Sequence, residues 1–170
     1  DYTISTWFKT SNSTTAHHPI VSQLATTPAY PTQTVGYLDH QTNFAFRIDT
    51  YGSNVWFTNG NNDGGWTHNT IQGTTAVTDN NWHQVVARVS GNVMTLFVDG
   101  VQNGSPLTRT GTYQTSSTQG VYFGITRNDN PSSDPFTYFP GSIGYTGFWA
   151  RGLANAEIGA LYRYEKPNYP

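Results

Sequence analysis

From Trp82 to Val98 the chain alternates apolar and polar positions almost without a break. Val85, Ala87 and Val89 fall on one face and Gln84 and Arg88 on the other; after Ser90-Gly91-Asn92 the alternation resumes at Met94, Leu96 and Val98. A period of two in a short β-rich run marks a half-buried strand. Gly and Asn tolerate the positive φ of a tight turn, so this segment predicts a hairpin. Asp99-Gly100 suits a two-residue primed turn and predicts a third short strand from Val101. Tyr2–Lys9 sets Ile4, Thr6 and Phe8 against Ser5, Trp7 and Lys9. In the next clear strand Phe44, Phe46 and Ile48 oppose Ala45, Arg47 and Asp49, and Val55-Trp56-Phe57 pairs with it across Tyr51-Gly52-Ser53-Asn54.

Shorter strands are predicted at Ile20–Leu24, at Val35–Leu38 and in a run carrying Val121, Phe123 and Ile125. A long closing strand covers Tyr138–Arg151, with Ile143, Tyr145 and Trp149 alternating against Gly144, Thr146 and Phe148. Pro-, Gly- and Asn-rich loops separate these runs. Helical spacing occurs once, at Leu153, Ile158 and Leu161. The pattern predicts one all-β domain over residues 1–170, an antiparallel two-sheet β-sandwich with one short C-terminal helix. Its expected inter-sheet core is Val85, Val89, Met94, Leu96, Val98, Phe44, Phe46 and Ile48. Trp7, Trp56, Trp82 and Trp149 lie on predicted strands and are expected in core or inter-sheet packing.

Composition narrows the function. With 11% charged residues, 15% aromatics and a net charge of −2, the chain has no block of like charge to attract nucleic acid or an anionic membrane. No apolar run reaches the ~18 residues that span a bilayer. Cysteine is absent. The hydroxyl- and amide-rich surface fits an extracellular or cell-surface setting. Asn12-Ser13-Thr14 and Asn103-Gly104-Ser105 match the N-glycosylation pattern, making Asn12 and Asn103 candidate acceptors.

Trp82-His83 opening the central hairpin and Val98-Asp99-Gly100 closing it resemble the laminin-G-like, concanavalin A-like jelly-roll domains. Ile4-Ser5-Thr6-Trp7, Gly141-Ser142-Ile143, and Arg151-Gly152-Leu153 with Glu157-Ile158-Gly159-Ala160-Leu161 match further blocks in the same order. The resemblance implies a jelly roll. It also implies one strand preceding the Ile-Ser-x-Trp segment, beside the closing strand, which this sequence lacks. The expectation is that this strand was removed, omitted or is supplied by another chain. The edge carrying Gly141, Ile143, Tyr145 and Trp149 would then contact a neighbouring subunit, through its strand or its Lys166–Pro170 tail.

Enzymes resembling this fold cut β-glucans with two carboxyl groups about 5–9 Å apart. Here Glu157 and Glu165 are the only glutamates, both near the C-terminus, and no two aspartates stand at i, i+2. No nucleophile elbow or phosphate loop is present, so the chain is read as non-catalytic. His17-His18 reads as solvated loop and His83 as a hydrogen-bonded structural residue. Asp129 and Asp134 in one loop and Asp63 in another offer oxygens to Ca²⁺, but a hard cation wants about six to eight convergent ligands. Turn-making is the preferred reading, and no cofactor is expected. For sugar binding, Trp66 beside Asn61 and Asn62, with Tyr51 and Tyr113, supplies aromatic faces among amides. Two functions follow: a structural or adhesive subunit that self-associates through edges and loops into a filament, or a carbohydrate-binding module reading surface glycans through rim loops.

Overall fold

A computed structural model describes residues 1–24, 44–60, 68–111, 120–127 and 136–170. The strands are β1 (Tyr2–Thr10), β2 (His18–Leu24), β3 (Phe44–Tyr51), β4 (Asn54–Gly60), β5 (His68–Gln72), β6 (Trp82–Ser90), β7 (Val93–Val98), β8 (Val101–Gln102), β9 (Leu107–Thr108), β10 (Val121–Phe123), β11 (Ile125–Arg127), β12 (Phe136–Tyr138) and β13 (Gly141–Trp149); a helix α1 (Asn155–Glu165) follows. One sheet runs β13-β1-β6-β7-β8 with β9 added on β7, the other β10-β2-β3-β4-β5, and β11 pairs with β12 alone. All pairs are antiparallel. The predicted strand at Val35–Leu38 lies outside the described residues.

The turns that set register carry the φ their residues allow. Asp99 (φ 50°) and Gly100 (φ 76°) are both left-handed, as the primed turn before β8 requires. Between the sheets lie Ile4, Phe8, Val21, Phe46, Ile48, Val55, Phe57, Val85, Val89, Met94, Leu96 and Val98, all buried. Of the expected core only Phe44 is not among them; its side chain is outside the described set. Burying each of these side chains contributes roughly 1.5–3 kcal/mol, so the two sheets are held by their facing apolar rows.

Four expectations are corrected. The closing strand is broken at Phe139-Pro140 into β12 and β13, since proline cannot donate to a ladder. The run through Val121, Phe123 and Ile125 is likewise two strands, parted at Gly124 with φ 66°. Ile143, Tyr145 and Trp149 do not share a face. Thr6 pairs with Thr146 and Phe8 with Ile143, so two β13 residues oppose Trp7 in a bulge that shifts the alternation by one. Ile143 therefore packs on the inter-sheet core, whereas Trp149 packs with Val86, Phe97, Leu153 and Ile158 on the outer face. Finally, among the described residues no tryptophan belongs to the inter-sheet cluster.

Trp7 is fully buried, but on the outer face of the six-stranded sheet, beneath the C-terminal segment. Its indole N–H donates to Glu165 Oε2 (2.6 Å), which also accepts from Gln84 Nε2 (2.9 Å). Tyr162 and Tyr169 stack on it with centroids at 5.7 and 4.4 Å. Tyr169 also bears on the edge expected to meet a neighbour: the bulge amide of Tyr145 donates to its hydroxyl (2.7 Å). β13 is paired with β1, and this part of its outer edge is covered by the chain's own tail.

Candidate functional site

The strand with the cleanest alternation carries the site on its other side. Phe46 and Ile48 point into the core, so Arg47, Asp49 and Tyr51 point away from it. Across the turn at Gly52 (φ 59°) the register sets Asp49 opposite Trp56, Arg47 opposite Thr58 and Tyr51 opposite Asn54. Beyond them Trp56 faces Gln72 and Thr58 faces Thr70, whose hydroxyls bond at 3.0 Å. The outward face of the five-stranded sheet is thus a row of polar groups broken by aromatic rings.

His17 is brought to this face by the loop before β2. Gly52 N–H donates to Thr14 O (2.9 Å), tying that loop to the β3–β4 turn. The expectation of a solvated His17 is corrected: its Nδ1–H donates to Asp49 Oδ2 at 2.6 Å, and only 14% of its side chain is exposed. The fully buried carboxylate overrides the loop's polar sequence. Arg47 Nε lies 2.9 Å from the same oxygen, near enough for an ion pair but off the line of a hydrogen bond. Arg47 Nη2 lies 3.1 Å from His17 Nδ1. A buried charge needs such partners, and the Arg47–Asp49 pair neutralises itself.

Over this floor sit three partly exposed rings. His17 and Tyr51 have centroids 4.7 Å apart, His17 and Trp56 5.7 Å, Tyr51 and Trp56 5.3 Å. Asp49 Oδ1 and Trp56 Nε1 are both buried and have no hydrogen-bond partner. An acceptor and a donor without partners thus stand on facing residues beneath partly exposed rings, which makes this face the candidate site.

Of the ligand residues read from sequence, Tyr51 belongs to this cluster. Trp66, Asn61, Asn62 and Tyr113 lie outside the described residues, as do Asp63, Asp129 and Asp134. Trp56, Asp49, Arg47 and His17 went unread as a site. The signal was a charged pair at i, i+2 on the solvent side of a core strand, opposite a tryptophan across a short turn.

Elsewhere among the described residues, His83 and Glu157 are committed to structure. His83 bonds Asp99 Oδ2 (2.8 Å) through Nδ1 and Asp79 Oδ1 (3.0 Å) through Nε2, and the Asp99 bond leads in raising its pKa. Glu157 takes both Arg151 guanidinium nitrogens at 2.8 and 2.6 Å and the Ala154 amide, which hold its pKa near about 2. Of the two glycosylation candidates, Asn12 lies in a loop, its Oδ1 accepting from Thr14 N. Asn103 is buried; its Oδ1 accepts from Thr74 N (2.7 Å) and its Nδ2 donates to Thr75 Oγ1 (2.5 Å).

A two-sheet jelly roll with a polar, ring-lined outer face prompts comparison with known domains. A model of the Laminin_G_3 family, described as the concanavalin A-like lectin/glucanases superfamily, matches residues 1–159. The chain belongs to this family. Among solved structures it is similar to the Ruminococcus gnavus IT-sialidase CBM40, at TM-score 0.70 and 19% identity over 95% of this chain and 82% of that one. The same CBM40 bound to α2,3 sialyllactose matches at 0.69 and 18%, with the same coverage. Mouse laminin α1 chain domains LG4-5 match at 0.62 and 15%, over 91% of this chain and 37% of that one. At these identities the likeness is one of fold. No curated protein matches the chain. This laminin-G-type domain contains no described helix long and apolar enough to cross a membrane.

Proposed function

We propose that this laminin-G-type domain is a non-catalytic, extracellular, lectin-like module that binds glycans on the outward face of its five-stranded sheet. The observation that carries the reading is the three-ring cluster of Trp56, Tyr51 and His17 beside the partnerless atoms of Asp49 and Trp56. Sugars present apolar faces to stack on rings and hydroxyls to bond polar groups, and this face offers both. Support also comes from the family and from a fold neighbour whose structure contains sialyllactose.

The test is titration calorimetry against a glycan panel. By analogy with stacking on other ring ligands, Trp56→Ala should remove ~1–3 kcal/mol of affinity. Trp66→Ala, made in parallel, separates the sheet face from the rim loop. If Trp66→Ala abolishes binding and Trp56→Ala does not, the site is on the rim instead.

A second reading, self-association, rests on a different surface. Phe123 at the edge of one sheet and Phe148 at the edge of the other, each 48% exposed, meet edge to face at 6.3 Å; Tyr138 and Tyr145 are 55% and 58% exposed. Exposed aromatics beside two sheet edges favour contact with another chain. Light scattering over a concentration series tests it: a Phe148→Glu variant should remain monomeric where the parent associates, and a parent that stays monomeric rules the reading out.

A further inference from the structure

We infer that the sheet-face site is built for an uncharged sugar, one of whose hydroxyls donates to Asp49 Oδ1 and accepts from Trp56 Nε1. The inference rests on the glycan-binding reading and specifies its ligand. Asp49 is served on one side only: Oδ2 takes the His17 N–H and the Arg47 guanidinium, and Oδ1 takes no donor. Trp56, its register partner on β4, has a buried N–H with no acceptor. Facing residues of an antiparallel pair have Cβ atoms about 4.5–5.5 Å apart. Both polar atoms lie closed off beneath the rings, so one small group enters between the two side chains as the partly exposed Trp56 and Tyr51 rings turn aside. That group must donate and accept at once. A hydroxyl does so; a carboxylate, which only accepts, and an ammonium, which only donates, do not. The adjoining rings of Trp56 and Tyr51, 5.3 Å apart and tilted by 58°, set apolar surface beside the hydroxyl's carrier, and a pyranose has an apolar face to lay against one of them.

Charge argues the same way. Among the described outward residues Arg47 is the one permanent cation, and it is buried against Asp49. An acidic sugar would find no cation to pair with its carboxylate among these residues, because the Arg47 guanidinium is already committed to Asp49. The ligand class therefore differs from the sialylated sugar held by the CBM40 that shares this fold.

The experiment is calorimetric titration of the whole chain with lactose, with methyl glycosides of glucose, galactose and mannose, and with 3′-sialyllactose. A neutral sugar should bind, and sialylating lactose should not tighten it. Trp56→Phe keeps a ring and removes the N–H while leaving Asp49, which anchors His17 and Arg47, in place. It should weaken the neutral sugar about tenfold, the equivalent of ~1.4 kcal/mol, with an unchanged melting temperature. Sialyllactose binding tenfold tighter than lactose would overturn this inference and leave the glycan-binding reading standing. Unchanged affinity in Trp56→Phe would mean that water serves the indole N–H, and would also overturn it. Binding of no sugar in the panel would overturn both.

Discussion

At the residue scale, several of the described carboxylates hold other side chains in place. Glu165 is the clearest case, because its single Oε2 accepts from both Trp7 and Gln84 in a buried setting. Glu165→Ala would leave two donors without partners, at about 1–3 kcal/mol each. Urea denaturation should show that loss, and a smaller one for Glu165→Gln, which keeps an acceptor oxygen. The same accounting separates the glycosylation candidates. Secreted from a glycosylating host, the chain should carry a glycan at Asn12 and none at Asn103, whose amide is bonded to the 74–75 backbone and side chain; peptide mass spectrometry decides this. Asp49 differs in that its oxygen without a donor is buried.

At the element scale, the β1–β13 pair shows how much a strand depends on what touches it. A Cβ at Gly141 would run into the Lys9 carbonyl oxygen of β1, and backbone cannot rotate away as a side chain can. Gly141→Ala should therefore force the strands apart and lower stability by about 1–3 kcal/mol, read as a fall in denaturation midpoint. The two-to-one bulge opposite Trp7 decides which β13 residues meet the core. It was not legible in the sequence, because Gly144-Tyr145-Thr146 fits a regular strand equally well and only pairing with β1 shows the extra residue. The β6–β7 hairpin was legible, since Gly91 and Asp99-Gly100 fix both turns locally and the alternation fixes both faces.

At the scale of the whole molecule, stability should peak in mildly acidic solution. His83 has a raised pKa through its bonds to Asp99 and Asp79, so its contribution is complete below its unfolded value of about 6.5 and is lost as pH rises through the folded value. Asp79, held near about 2 chiefly by Asn81, and Glu157, held near about 2 chiefly by Arg151, work in the opposite sense. Their contributions are present above their unfolded values of about 4 and disappear as pH falls towards 2. Thermal melts from pH 2 to 9 should thus show a maximum between about pH 4 and 6.5. In His83→Gln the upper limb should flatten while the lower one persists. An upper limb unchanged in that variant would remove His83 as its cause.

The sequence by itself determined the sandwich, the faces of its regular strands and the part of the inter-sheet core carried by Phe46, Ile48, Val85, Val89, Met94, Leu96 and Val98, because alternation and turn chemistry act between near neighbours. It also carried the family resemblance that the match over residues 1–159 shows. Tertiary structure decided where the irregularities fall and what the outer faces do. Trp7 reads as core or inter-sheet packing from its place on a predicted strand, yet it is buried on the outer face because Tyr162, Glu165 and Tyr169 cover it from the other end of the chain. His17 reads as loop, yet it is paired to a fully buried carboxylate 32 positions away. Arg47 and Asp49 look like ordinary solvent-side residues and Trp56 like core packing until the β3–β4 register sets Asp49 and Trp56 face to face. A site made of contacts between distant residues has no local period for a sequence to show.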